Sequence, residues 1–445
     1  MLSDSLKILM PIFSNLWEIF RVWWWLPLPI VLWWPFSFLW HWWRTDGFLK
    51  KTKFILLEIK MPREVLKPMR AMEIIMDGLW QILFDPPGDF FEKHIDGKII
   101  LSYSFEIISI DGEPKFFIRI PKSNQDAVEA VIYSQYPEAE ISLVDDYTKY
   151  IPKDIPNNSW DLWGADYKLS RPNAYPIKTY IKFETEKEPL EEKRIDPLSM
   201  LLESLAKTKT GECYWIQIVA QPVRGDVGGC EGIPWLKEGE KIRDELARRT
   251  EKKRVQRPLV LEAVDVLVAG EPPGGLKEEK RELIPPEMKL TPGERDVITA
   301  VEQKMAKRGF QTSIRFIYLG KKEVFFKAKL RFALSFFSTF VTQNLNALFP
   351  YGQPYLTKIK KSWFLPLNFL ANRRLYLRKR SIFRKYCLRV HPMFPAKGKW
   401  PSSFILNTEE LATIFHLPGQ RVASAPSIKR IEAKKGEAPP GLPSE

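Results

Sequence analysis

The chain has 445 residues, 68 Lys+Arg against 54 Asp+Glu for a net charge of +14, and 45% hydrophobic residues. That is too long for one core and too apolar for a disordered chain, so two or three folded units are expected besides any anchor. Three cysteines (Cys213, Cys230, Cys387) and four histidines (His41, His94, His391, His416) show neither paired nor metal-ligand spacing, which excludes a disulfide scaffold and a structural zinc site.

Leu6 to Phe20 reads as an interfacial helix or a weak first span. The next 22 residues, Val22 to Trp43, carry no Asp, Glu, Lys or Arg and hold eight of the 16 tryptophans. Tryptophan prefers the headgroup level, and the clusters Trp23/Trp24/Trp25 and Trp40/Trp42/Trp43 lie at the two ends of this run. The run therefore predicts an N-terminal transmembrane anchor over residues 1–48, as one span or a hairpin, although Pro27, Pro29 and Pro35 each remove a backbone donor. Arg44, Lys50, Lys51 and Lys53 follow it, against Lys7 and Arg21 before it, which puts a soluble body in the cytoplasm at the cell membrane.

"KFILLEIK" then reads as a strand, and Met69, Met72, Met76, Leu79 and Leu83 recur at helical spacing as core filler. Leu101, Tyr103, Phe105 and Ile107 alternate onto one strand face, and Asp111-Gly112 turns the chain back into "KFFIRI". A helix capped by Ser123 and Asp126 and the strand "EAEISLV" complete a βαββαβ order over 54–147, a ferredoxin-like unit. A diverged second copy is expected over 175–320, with strands "PIKTYIKF", "CYWIQIVAQ" and "FQTSIRFIYLG", a capping box at Thr291–Glu294, and an insertion at 223–290. Within that insertion "WLKEGEKIRDELARRTEKKRVQ" is charged all round, so it should project into solvent or meet a partner, and "AGEPPGG" reads as loop. The fold class is thus α+β, closing with a basic helical region at 321–421 and a disordered tail at 422–445.

The charge is local. From Lys321 to Trp400, eighteen Lys/Arg face a single acidic residue, Glu323. Within it, "NRRLYLRKRSIFRKYCLR" interleaves Arg373, Arg374, Arg378, Lys379, Arg380, Arg384, Lys385 and Arg389 with Tyr376, Phe383 and Tyr386. Such a surface suits the phosphates of DNA or an anionic leaflet, and a solvated helix face is the third reading. In "FILNTEELATIFHLPG", Asn407 and Glu410 form a capping box whose helix carries Leu411, Ile414 and Phe415 on one apolar face. No phosphate loop, nucleophile elbow or distinctive carboxylate pair occurs, so the reading is non-enzymatic and requires no cofactor.

The anchor followed by "LLEIKMP…AME", "FFEKHIDGKI", "YSQYPEAEI" and "LNTEELATIFHLP" resembles the membrane-anchored N-terminal region of conjugation-type DNA-translocating ATPases of the type IV secretion and coupling-protein class. In those proteins the last motif precedes a motor domain with a Walker A loop, whereas about 25 residues follow it here. The resemblance implies a membrane-anchored accessory subunit of a DNA-transfer machine, working with a P-loop motor ATPase in trans. Leu411, Ile414 and Phe415 would dock on that motor, and DNA and further copies of the chain are other candidate partners. The alternative is a membrane-surface scaffold that binds anionic lipid and has no nucleic-acid role.

Overall fold

The computed structural model describes residues 17–18, 21, 25, 28–62, 67–183, 196–225, 234–248, 290–351, 357, 370–389 and 403–418. The tail, "AGEPPGG", Cys230, His391, Trp23, Trp24 and nearly all of Leu6–Phe20 lie outside them. Nine helices are described: α1 (Leu28–Lys51), α2 (Met69–Leu83), α3 (Gln125–Gln135), α4 (Pro197–Ala206), α5 (Trp235–Leu246), α6 (Pro292–Met305), α7 (Arg331–Ser338), α8 (Ala371–Leu388) and α9 (Thr408–Ile414). The strands are β1 (Phe54–Lys60), β2 (Tyr103–Ile110), β3 (Glu113–Pro121), β4 (Glu140–Val144), β5 (Trp160–Leu169), β6 (Glu212–Val223), β7 (Gly309–Lys321), β8 (Leu348–Pro350) and β9 (Phe404–Asn407).

All nine strands join one antiparallel sheet in the order β4-β1-β3-β2-β6-β7-β5-β8, with β9 beside the first residues of β7. The order is a palindrome of halves. Read outward from the β2–β6 junction, each half places its second, third, first and fourth strands in turn, the arrangement of a ferredoxin-like unit. In the first half, Asp111 (φ 53°) and Gly112 (φ 88°) form the turn that hairpins β2 onto β3. A Cβ on Gly112 would come within 2.9 Å of the Thr208 carbonyl oxygen, so glycine is needed there for both conformation and space.

The second half runs from β5 to β8, not over 175–320. Its first strand is Trp160–Leu169, while "PIKTYIKF" ends in a 3-10 turn at Tyr180–Phe183. In β5, Trp163, Ala165, Tyr167 and Leu169 alternate onto the core face, but Asp161, Gly164, Asp166 and Lys168 interrupt the run and weaken its strand signal, and pairing with β7 completes it. Its second helix is α7, and α6, whose capping box forms as expected, belongs to the insertion. Nor is α5 wholly solvated: Trp235 is buried, and a Cβ on Gly239 would strike Met305 of α6. In α3 the expected Ser123/Asp126 cap is absent; Asn124 holds the N-cap position without a side-chain bond.

One face of the sheet packs on α2, α3, α4, α7 and α9 around Met72, Met76, Phe105, Ile118, Leu202, Phe316 and Phe336. The opposite face packs Ile108, Phe117, Trp215 and Ile317 under α8 and the turn at Tyr147–Ile155. Both faces are therefore covered, which explains why strand residues of both phases are buried.

The expected transmembrane anchor is corrected. Among the described residues no helix is long and apolar enough to cross a membrane. The described helix, Leu28–Lys51, carries Arg44 and Asp46 within it. From Leu28 to Trp43 it rises only about 24 Å, short of a hydrocarbon core of about 30 Å. Its later half is instead seated on the body, with Trp40 Nε1 donating to the His94 carbonyl (2.9 Å) and Arg44 to that of Ile95. Gly97 (φ 69°) permits this contact, since a Cβ there would overlap the Arg44 backbone.

Candidate functional site

α8 is two-faced because its apolar residues recur at helical spacing. Ile382, Phe383 and Tyr386 face the sheet and are buried. Arg373, Leu377, Arg380, Arg384 and Leu388 share the outer stripe and are exposed, with Arg374 beside them. These four arginines form no ion pair among the described residues; Arg380 donates to the Tyr376 hydroxyl (3.2 Å). α8 lies close over β5, where a Cβ on Gly164 would meet the Phe316 carbonyl at 2.7 Å and Ile382 at 3.1 Å.

The remaining expected phosphate ligands divide differently. Lys379 pairs with Asp161, and Lys385 lies 4.0 Å from Asp166. Arg378 is half-buried and interacts elsewhere, with burial lowering its pKa first and Arg374 second. Arg389 is withdrawn from the phosphate-binding set because it is buried and saturated. Its Nε donates to Glu106 (2.6 Å), its Nη1 to Asp146 (2.6 Å), and its Nη2 to both (3.1 and 3.0 Å). It ends α8 in the left-handed region (φ 52°), a conformation these bonds hold for a residue other than glycine.

Arg389 is part of a polar row that sequence reading missed. Glu106, Gln217, Arg315 and Asp166 stand opposite one another across β2, β6, β7 and β5. Arg315 donates to Asp166 (2.6 Å) and Gln217 (3.3 Å), and Gln217 donates to Glu106 (3.1 Å) and to the Tyr386 carbonyl (3.0 Å). Ser104 and Tyr147 also donate to Glu106, each at 2.6 Å. Burial opposes the charge on Glu106, yet Arg389 and these donors outweigh it and hold the carboxyl below its ordinary range; Asp146 is lowered by the same contest. The signal in the sequence was a polar or charged residue inside each strand, which alternation equally assigns to a solvated face.

The face of Leu411, Ile414 and Phe415 is not available to a partner either. All three are fully buried, with Phe415 packing 5.0 Å from Phe105. The capping box at Asn407 forms, and Glu410 within it also accepts from Ile177 N (2.8 Å) and pairs with buried Lys304 (2.9 Å). Burial outweighs Lys304 here, and the Glu410 carboxyl is raised. The helix is core because it fills the gap between α2 and the sheet.

α1 presents the other unusual surface. Trp33 and Trp34 are 68% and 71% exposed, and Val31, Leu32, Phe36, Leu39 and Trp43 are exposed with them. Of the expected anchor residues, Trp25 lies in a turn before the helix, Trp40 is tied to His94, and Trp42 and Trp43 are exposed.

Two clefts are lined by the described residues. One of about 670 Å³ lies between α2, the turn at Tyr180 and the end of α6; there Lys307 pairs with Glu73 and Glu409, and Arg308 with Asp77, while Arg70 lines it without an ion pair among the described residues. The other, of about 400 Å³, lies over β4, β1 and β3 on the α8 face. Among the described residues no group of three His, Cys, Asp or Glu side chains is placed to hold a metal.

These features define a class: an α+β body of two edge-joined ferredoxin-like halves, carrying one cationic and one aromatic helix on its surface. The chain belongs to the family described as a domain of unknown function, DUF8128, whose model matches residues 66–429. No curated protein matches it.

Proposed function

We propose that the protein is a non-catalytic scaffold that docks on an anionic membrane surface without crossing it, using α1 and the outer face of α8. The observation that carries this reading is the set of exposed aromatic side chains on α1, headed by Trp33 and Trp34. Indole rings partition to the headgroup boundary, where the ring is dehydrated and the N–H stays hydrogen-bonded. The exposed Arg373, Arg374, Arg380 and Arg384 would add electrostatic attraction, roughly 1 kcal/mol for each cation near an anionic leaflet.

Sedimentation of full-length protein with phosphatidylcholine vesicles, with and without one-fifth phosphatidylglycerol, tests it. Binding should need the anionic lipid, weaken with salt, and shift tryptophan emission to the blue. Changing Trp33 and Trp34 to Ser should abolish the shift. Equal recovery of wild type and that variant with both vesicles ends the proposal.

A second reading follows from Tyr376 interleaved with the same outer arginines, a composition that also suits nucleic acid. There the scaffold would serve a DNA-transfer machine of the type IV secretion class, with a motor ATPase in trans. Because Leu411, Ile414 and Phe415 are interior, the motor would have to dock elsewhere. Salt-dependent binding to duplex DNA, with none to vesicles, would favour it.

A further inference from the structure

We propose that the cleft over β4, β1 and β3 binds a phosphate group, from a phosphomonoester or from inorganic phosphate, with Arg119 and Lys149 as its cationic ligands. Leu56, Val144 and Arg119 stand side by side on β1, β4 and β3, and all three line the cleft. Phe54, Asp145, Asp146, Lys149 and Arg389 line the rest of it.

The charges there are unevenly satisfied. Arg389 takes up both Glu106 and Asp146, so neither carboxylate is left for Arg119. Arg119 has no hydrogen-bond acceptor and no carboxylate partner among the described residues, and its guanidinium stacks over the Phe54 ring at 3.9 Å. Burial, with the positive charge of Arg389 behind it, pushes its pKa down to about 10. The Glu106 and Asp146 carboxylates favour its charge only from a distance, without an ion pair or hydrogen bond, and stacking on Phe54 occupies its face while leaving its N–H edge available. That edge matches two phosphate oxygens. Lys149 stands on a turn held by Asp146, whose carboxylate accepts from Thr148 N (3.0 Å), and it makes no ion pair among the described residues. Two cations on one cleft suit a dianion better than a single carboxylate, and Asp145 at the rim disfavours anions that do not reach the Arg119 edge.

The lipid source of that phosphate rests on the membrane-surface reading; the site itself does not. α1 ends at Lys51 and Phe54 opens β1, so the cleft lies at the foot of the aromatic helix.

Titration calorimetry of full-length protein with inorganic phosphate, against chloride at matched ionic strength, tests the site. Saturable binding to wild type is expected, with affinity about tenfold lower in Arg119→Gln and in Lys149→Gln, as loss of one charge-assisted contact implies. Lys149 is exposed, so its variant reads binding independently of folding. No saturable binding to wild type, or wild-type affinity in Arg119→Gln, overturns the proposal. Vesicles with one-fifth phosphatidic acid then separate the sources. Preference for them over phosphatidylglycerol vesicles, lost in Arg119→Gln, assigns a lipid phosphomonoester; no preference beside intact phosphate binding assigns a soluble one. The Trp33→Ser/Trp34→Ser variant should lose vesicle binding and keep phosphate binding, so failure of the membrane reading is distinct from failure of the site.

Discussion

The two halves of the sheet share a strand arrangement and differ in how it is closed. In the first, a two-residue turn at Asp111-Gly112 sets the β2–β3 register locally. In the second, the equivalent strands β6 and β7 are separated by 85 residues, and yet they pair over twelve positions from Glu212↔Gly320 to Val223↔Gly309. Side chains of the two strands support that register: Arg315 of β7 reaches Gln217 of β6 and Asp166 of β5, and the Tyr318 hydroxyl of β7 donates to Glu212 of β6 (2.8 Å). The faces differ too. α8 covers β5 and β7, whereas the edge of the first half keeps an open cleft floored by Arg119. The same architecture can therefore take its register from a turn or from buried polar contacts, and the first half leaves part of its α8-side face open as a cleft.

The largest expected effect tests whether α9 is core of the whole sheet. Phe415→Ala should lower unfolding free energy by about 3–5 kcal/mol in urea denaturation, as for other buried phenylalanines. A loss below 1 kcal/mol would restore the partner-docking role of that face. Next comes the row beneath α8. Arg389→Met leaves Glu106 buried without its counter-charge and should cost about 3–5 kcal/mol. The seat of α8 is tested by Gly164→Val, expected to cost about 1–3 kcal/mol by overpacking against Ile382 and Phe316. The equivalent volume added at exposed Leu143 should change little.

Acidity separates the interior carboxylates into two kinds. Glu106 and Asp146 are lowered in the folded state, so their stabilisation is present above the ordinary carboxylate range and is lost as pH falls through their folded pKa values. Glu410 is raised, so its contribution is present below that range and is lost as pH rises through its folded pKa. Melting temperature against pH should thus lose part of its acid limb in Glu106→Gln, Asp146 keeping the rest, and its upper slope in Glu410→Gln. Identical profiles in both variants would contradict the opposed shifts. The smallest stability effect is expected from changing Arg373, Arg374, Arg380 and Arg384 together to Gln, within about 0.5 kcal/mol for each surface site. The same variant should flatten the salt dependence of vesicle binding.

Sequence alone determined what depends on local periodicity and turn chemistry. The Met69–Leu83 stripe, the Asp111-Gly112 hairpin and the two capping boxes at Thr291 and Asn407 each need only a few neighbouring residues, and each is present. The concentration of positive charge on α8 was legible for the same reason. Tertiary structure decided the rest. It made a strand of Trp160–Leu169 by pairing Asp166 with Arg315 from 149 residues away. It buried Arg389 and Leu411 by placing α8 and α9 on opposite faces of one sheet, and it seated the tryptophan helix on His94. Whether a cation is paired or open to a ligand is fixed by which carboxylates the fold brings near it. Chain spacing does not encode that, and Arg389 and Arg119 were indistinguishable until the fold gave one of them both acids.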